Sequence, residues 1–313
     1  MSADAEPAAR ALLARAARRT LALPGRGIET ALLDWGGDGP LALLHHANGF
    51  CKGVWAEVAA ALHDGWRVVA TDARGHGDSS HPHGAAAYAW DQFAEDLVAV
   101  GEALAGQQGG APIGLGIGHS FGGTSMIGAA ARRPALFTRL LLVDPVVPPP
   151  LPADFDIERV PHLRKLVEGA RKRRAHWPSR AAARAWCQER RFFAAWRPQA
   201  IELYLLDGMR ERADGSLELK CPGAVEGAVF AGSNTIDLFA LAARVRTPTR
   251  ILWAAGGDFP RPIHEALAAA MGNAQIETVA CGHLVPMERP DLIVSAVRRL
   301  PPFEKGGSGG ISR

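Results

Sequence analysis

The stretch that most constrains the fold is residues 113–123, which read IGLGIGHSFGG. Ile113, Leu115 and Ile117 alternate with glycines and suit a buried strand, while residues 124–132 have helix-forming character. Between them stands Gly118-His119-Ser120-Phe121-Gly122, a G-x-S-x-G set between strand and helix as a nucleophile elbow requires. The glycines lie two residues either side of the serine because a Cβ there would collide with neighbouring backbone. Such a turn lifts Oγ above the sheet and leaves the Phe121 backbone N–H at a helix start, where it can meet an oxyanion. A dinucleotide loop is the competing reading, and it fails. G-x-G-x-x-G needs a glycine where Gly114 would place His119 and Gly116 would place Phe121.

An elbow of this kind presupposes strands and helices in alternation, and the chain supplies them. Strands are expected at 20–23, 28–35, 41–44, 66–71, 113–117, 140–143, 249–254 and 275–279, and helices at 54–62, 88–104, 124–132, 235–243, 263–271 and 291–300. Residues 148–234 differ in kind. They open on Pro148-Pro149-Pro150, are rich in Arg and Trp, and show helical periodicity without β/α alternation. The expectation is an α/β fold, a mostly parallel sheet with helices on both faces and an inserted helical cap. The core would be 20–147 and 235–300, the cap 148–234, with a solvated Ala-rich leading helix over 1–19. Residues 301–313 carry Gly306-Gly307-Ser308-Gly309-Gly310 and read as a flexible tail, native or appended.

Composition narrows the functional classes. A chain of 313 residues with 48% hydrophobic and 21% charged residues can bury a full core and reads as a soluble globular protein. A net charge of +3 is too small to argue for nucleic acid or an anionic membrane surface as partner. No apolar run approaches the ~18 residues of a spanning helix. The first twenty residues carry Arg10, Arg15, Arg18 and Arg19 in place of a signal peptide's apolar centre, and Asp4 and Glu6 count against a transit peptide. Cys51, Cys187, Cys221 and Cys281 are scattered, so free thiols and a cytoplasmic location are expected. No H-E-x-x-H, P-loop or EF-hand pattern occurs, and no cofactor or metal is expected.

Taken together, the motifs resemble the α/β-hydrolase fold family, in its capped serine esterase or lipase-like form, over residues 28–300. They stand in the family's order: His46-Ala47-Asn48-Gly49, then Asp72 to Ser79 as D-x-R-G-x-G-x-S, the elbow at Ser120, Ile251-Leu252-Trp253 with Asp258, and Gly282-His283-Leu284-Val285-Pro286. There are two departures. Ala47 replaces a glycine, and the stretch from Trp253 to Asp258 is longer than the family's by one residue.

The resemblance implies Ser120 as nucleophile and His283 as its base, since a serine hydroxyl needs an adjacent base and the base an orienting acid. Asp258, after the penultimate strand, is the expected acid, and Asp144, after the strand following the elbow, the alternative. The oxyanion donors would be the backbone N–H groups of Phe121 and Asn48, with the Asn48 side chain also facing substrate. Asp72, Arg74 and His76 read as side chains bonding the backbone of their own Gly-rich loop. Cys51 and Cys281 read as packing residues, Cys281 open to thiol reagents. Trp186, Phe192, Phe193 and Trp196, with Trp177, serve either as an acyl-binding wall or as the insertion's own core. A small carboxylic ester is the substrate implied. Carbon–carbon, thioester or amide hydrolysis and acyl transfer use the same triad, and a silent ligand-binding pocket is the alternative outside catalysis. Oligomeric state is not legible.

Overall fold

The computed structural model describes residues 4–152 and 154–301. In chain order the strands are β1 (Ala17–Leu23), β2 (Ile28–Gly36), β3 (Leu41–His45), β4 (Arg67–Thr71), β5 (Leu115–His119) and β6 (Leu140–Val143). The insertion then carries β7 (His176–Trp177), β8 (Met209–Glu211) and β9 (Leu217–Leu219), and the main sheet resumes with β10 (Thr249–Ala254) and β11 (Ala274–Val279). Helices α1 (Ala5–Ala14), α2 (Ala56–Leu62), α3 (Trp90–Gly106) and α4 (Phe121–Arg132) precede the insertion. Helices α5 (Pro161–Arg171), α6 (Arg180–Gln188), α7 (Pro198–Asp207) and α8 (Gly223–Ala231) lie within it. Helices α9 (Leu238–Ala242), α10 (Arg261–Met271), α11 (Val285–Glu288) and α12 (Pro290–Arg298) follow.

The main sheet has eight strands in the order β1-β2-β4-β3-β5-β6-β10-β11. All neighbours from β4 to β11 pair in parallel, and β2 runs antiparallel to both β1 and β4. Apolar residues cover both faces, which is why β3 reads as an uninterrupted run. Ala42 and Leu44 point into one cluster with Val58, Leu62, Ile293 and Val297, and Leu41 and Leu43 into the other with Leu97, Leu104, Met126 and Ile127. The glycines of β5 face the second layer at close range. A Cβ on Gly116 would come within 2.8 Å of the Leu140 side chain.

Three expectations are revised. The insertion holds a three-stranded antiparallel sheet, β7-β9-β8, besides its helices. Its strands are two or three residues long, too short to show a period of two. The leading helix ends at Ala14, and Arg18 and Arg19 belong to β1. One face of α1 is buried through Ala5, Ala9 and Leu13 rather than solvated, and it packs on α7 of the insertion. The Gly/Ser tail falls on residues outside those described.

Candidate active site

The elbow's geometry follows from its glycines. Ser120 adopts φ 55°, ψ −123°, off the ordinary regions for an L-residue. Such a turn closes only if its neighbours carry no side chain. A Cβ on Gly118 would lie 2.4 Å from the Gly122 carbonyl oxygen, and one on Gly122 2.5 Å from those of His45 and His46. The second contact also presses the start of α4 against the loop leaving β3. Phe121 is the first residue of α4, so its N–H has no acceptor within the helix.

Ser120 Oγ lies 2.9 Å from His283 Nε2, and His283 Nδ1 lies 2.7 Å from Asp144 Oδ2. A neutral imidazole whose Nδ1–H donates to a carboxylate keeps its Nε2 lone pair free to accept the serine hydroxyl. Ser120 and His283 therefore come together as expected, on loops 163 residues apart.

The acid is a correction. Asp258 is exposed in the loop after β10 and is not the carboxylate on His283. That carboxylate is Asp144, at the end of β6 and fully buried. Asp144 takes a left-handed φ of 42°, which turns its side chain in at the strand end, and the Ala254 N–H donates to its Oδ1 at 3.1 Å. The longer loop explains why Asp258 is displaced. Gly257 abuts Asp144, where a Cβ would lie 3.1 Å from Oδ2, and the Trp253 indole N–H ties down the Phe259 carbonyl at 2.8 Å. Phe259 then sets its ring edge-to-face on the His283 imidazole, centroids 5.1 Å apart, and Asp258 faces outward.

The model of the Alpha/beta hydrolase family matches residues 42–296. The chain belongs to this family. A bifunctional esterase/perhydrolase from Acinetobacter calcoaceticus is 36% identical over 110 residues, 34% of this chain and 37% of that protein. The match thus spans little more than a third of that relative's length. Among solved structures, E-2-(acetamidomethylene)succinate hydrolase has a TM-score of 0.74 at 21% identity, covering 90% of this chain and 97% of that one. The thioesterase domain from the curacin biosynthetic pathway has a TM-score of 0.73 at 20% identity, covering 90% and 99%. Both likenesses are of fold.

Several contacts of this α/β-hydrolase escaped sequence reasoning. His119, the variable residue before the nucleophile, is buried, and its Nε2–H donates to the His283 carbonyl at 2.9 Å. Burial, helped by the neighbouring His283, pushes its pKa well below the usual histidine value, so it is a neutral clamp on the loop carrying the imidazole. His264 of α10, also held neutral by burial, donates from Nε2 to the Pro145 carbonyl at 3.0 Å and braces the backbone beside Asp144.

Asp72 and His76 do bond the backbone of their own loop, but the Arg74 guanidinium instead forks onto Asp96 of α3 and donates to the Ala87 carbonyl. Asp72 accepts from the N–H groups of Lys52 and Asp78, and His76 Nδ1–H donates to the Arg74 carbonyl. Asp72 also receives the buried Lys52 ammonium at 2.6 Å. The Asn48 side chain does not face a substrate space as expected. Its amide reaches the Glu226 carbonyl of α8 at 3.0 Å and its Oδ1 lies 3.1 Å from His76 Nε2. Cys281 is half-buried and burial pushes its thiol up to about 12, leaving little thiolate at neutral pH. Cys51 is fully buried.

The four aromatic residues singled out in the insertion meet one another. Phe193 packs on Trp186, Phe192 and Trp196, with centroids 5.9, 5.0 and 4.8 Å apart. Phe193 and Trp196 are buried, together with Trp177, and make the insertion's core. Phe192 is 56% exposed and stacks on Phe50, two residues after Asn48 and one after Gly49. The insertion also reaches the elbow itself. Val229 of α8 shares a cluster with Phe121, Trp90 and Phe93, and the Trp90 indole N–H donates to the Val229 carbonyl.

Proposed function

We propose that this α/β-hydrolase cleaves small carboxylic esters through an acyl-enzyme on Ser120, with His283 as general base and acid and Asp144 as the orienting acid. The observation that carries this reading is the unbroken line from Ser120 Oγ through the His283 ring to a buried Asp144. His283 Nε2 takes the hydroxyl proton as Oγ bonds to the ester carbonyl carbon. The carbonyl oxygen becomes an oxyanion, met by the backbone N–H groups of Phe121 and Asn48. Collapse breaks the C–O bond to the alcohol, which leaves with the proton from Nε2. Water then attacks the acyl carbon, giving its proton to Nε2, and the Ser120–acyl bond breaks as Oγ recovers it. Asp144 keeps the imidazole in the Nδ1–H tautomer and stabilises the imidazolium. Its bonds from the His283 ring and the Ala254 N–H orient it.

The insertion, lying against Phe121 through α8, acts in this reading as a cap that limits the site to small or slender acyl groups, with the exposed Phe192 along the wall and Phe193 and Trp196 packed behind it. The Acinetobacter relative's esterase name is in keeping with the substrate class. The test is turnover of p-nitrophenyl acetate beside a thioester and an anilide, with fluorophosphonate labelling. Wild-type protein should label one serine and prefer the ester. Ser120→Ala should lose the label and about 10⁴-fold or more of kcat. Turnover that survives in folded Ser120→Ala overturns the mechanism, and preference for the thioester or anilide overturns the substrate class.

A further inference from the structure

The loop that leaves β3 is gripped from both sides at Asn48 and Gly49. On the core side stands His76, fully buried and held neutral by that burial. Its Nδ1 is 2.9 Å from the Arg74 carbonyl and must carry the proton, so Nε2 is an acceptor and takes the Gly49 N–H at 3.0 Å. On the other side stands the insertion. Asn48 Nδ2 donates to the Glu226 carbonyl of α8 at 3.0 Å, and Arg173, paired with Glu226 at 2.6 Å, approaches the Gly49 carbonyl at 3.4 Å. The fit is close enough to demand glycine. Gly49 has φ 81°, and a Cβ there would come within 2.7 Å of Glu226 Oε1 and 2.9 Å of Arg173 Nη1. Gly49 is thus fixed by the core at its N–H and by the insertion at its carbonyl, and the Asn48 amide adds a bond from the same loop to the insertion.

We propose that the Asn48 side chain is a positioning residue through which docking of the insertion sets the oxyanion loop. Its amide, bonded to the α8 backbone, holds the Asn48 N–H in the orientation that receives the developing charge. This rests on the ester-hydrolase reading above and goes beyond it, because the insertion then supplies transition-state geometry as well as a wall. A loop held by both bonds needs no reorganisation at the moment of reaction. A loop released from α8 still has the Gly49–His76 bond and stays near the site, but its donor is no longer aimed. The loss should therefore fall on the transition state and spare the ground state.

The experiment uses the full chain and two variants. Asn48→Leu keeps the approximate shape and removes the donor to Glu226 without adding charge, and Asn48→Ala removes the whole side chain. Readouts are kcat and KM on p-nitrophenyl acetate, the inhibition constant of a short alkyl trifluoromethyl ketone whose Ser120 adduct carries an oxyanion, and the final extent of fluorophosphonate labelling. Expected is a fall in kcat of about 10- to 100-fold, KM within about threefold, ketone affinity reduced by the same factor as kcat, and labelling that still reaches completion. Unchanged kcat and ketone affinity overturn the proposal, as does a rise in KM alone, which would make Asn48 a substrate contact. If Asn48→Ala does not fold, the near-isosteric Asn48→Leu decides. Wild-type turnover that is independent of Ser120 would instead overturn the ester-hydrolase reading. Ser120-dependent wild-type turnover with indifferent Asn48 variants overturns this inference alone.

Discussion

The line Ser120–His283–Asp144 and the charged cluster around Lys52 are both buried beyond the C-terminal ends of the main strands, yet they are built from different materials. The line holds one carboxylate, one imidazole able to change charge, and one hydroxyl. The cluster holds only fixed charges. Lys52 meets Asp72, Asp78 and Asp207, while Arg18 reaches Asp207 and Lys220 reaches Asp78. Burial alone would lower the Lys52 pKa, but the three carboxylates outweigh it and raise it above its usual value. No proton can leave this cluster at moderate pH without exposing an unpaired charge. It also joins β1, two core loops and the insertion, since Asp207 ends α7 and Lys220 lies just beyond β9. Burial and hydrogen bonding are common to both assemblies. In the proposed reading, what separates chemistry from scaffold is a serine bonded to an imidazole in one and ion pairs in the other.

That contrast can be broken most decisively at the acid. Asp144→Asn should lower kcat by about 10⁴-fold with a near-wild-type melting temperature, because the amide supports the wrong imidazole tautomer. Asp258→Asn should stay within about twofold. Steady-state kinetics on the two variants suffice, and equal losses would mean the line does not end where its hydrogen bonds do. Next in size is Lys52→Met, which leaves the buried Asp72 without its ammonium while Asp78 and Asp207 keep Lys220 and Arg18. It should cost about 3–5 kcal/mol of unfolding free energy in urea titration while leaving kcat per folded molecule within a fewfold. A specific loss of kcat in fully folded protein would erase the division between scaffold and chemistry.

The smallest effect concerns pH. Burial works to raise the Asp78 pKa, but Lys52 and Lys220 hold it at about 2, against 3.8 for the free group. Its folded-state value is depressed, so its contribution is present above pH 3.8 and is lost as pH falls through about 2. The gap in urea midpoint between wild type and Asp78→Asn should be constant near neutrality and close between about pH 4 and 2. A gap that persists at pH 2 would show that Asp78 acts there by packing.

Legibility in the sequence tracked how local each constraint is. The β/α alternation and the elbow were readable because a buried strand writes a continuous apolar run and a strained turn writes its glycines within five residues. Strands 140–143 and 249–254 came out to the residue. His283 was readable from its own loop motif. The acid was not, because two carboxylates end neighbouring strands. The choice lies in a single hydrogen bond from Ala254 and the outward turn at Gly257. Nothing in the residues around Lys52 marks it as buried, and only the fold brings Asp207 to it from 155 residues away. The short sheet of the insertion had no pattern to read.

The helix that opens the chain bears on how this molecule can breathe. α1 rests on α7, Glu6 pairs with Arg184 of α6, and Arg18 of the adjoining strand holds Asp207 at 2.8 Å. The family match begins only at residue 42, so this strap is an accessory stitched across the joint between core and insertion. Swinging the insertion away as one rigid flap would uncover Ala9 and Leu13 and strand a buried carboxylate, a double penalty that a door on a free hinge does not face. The insertion is therefore held as part of one body with the core, and trimming the first helix would be the way to loosen it.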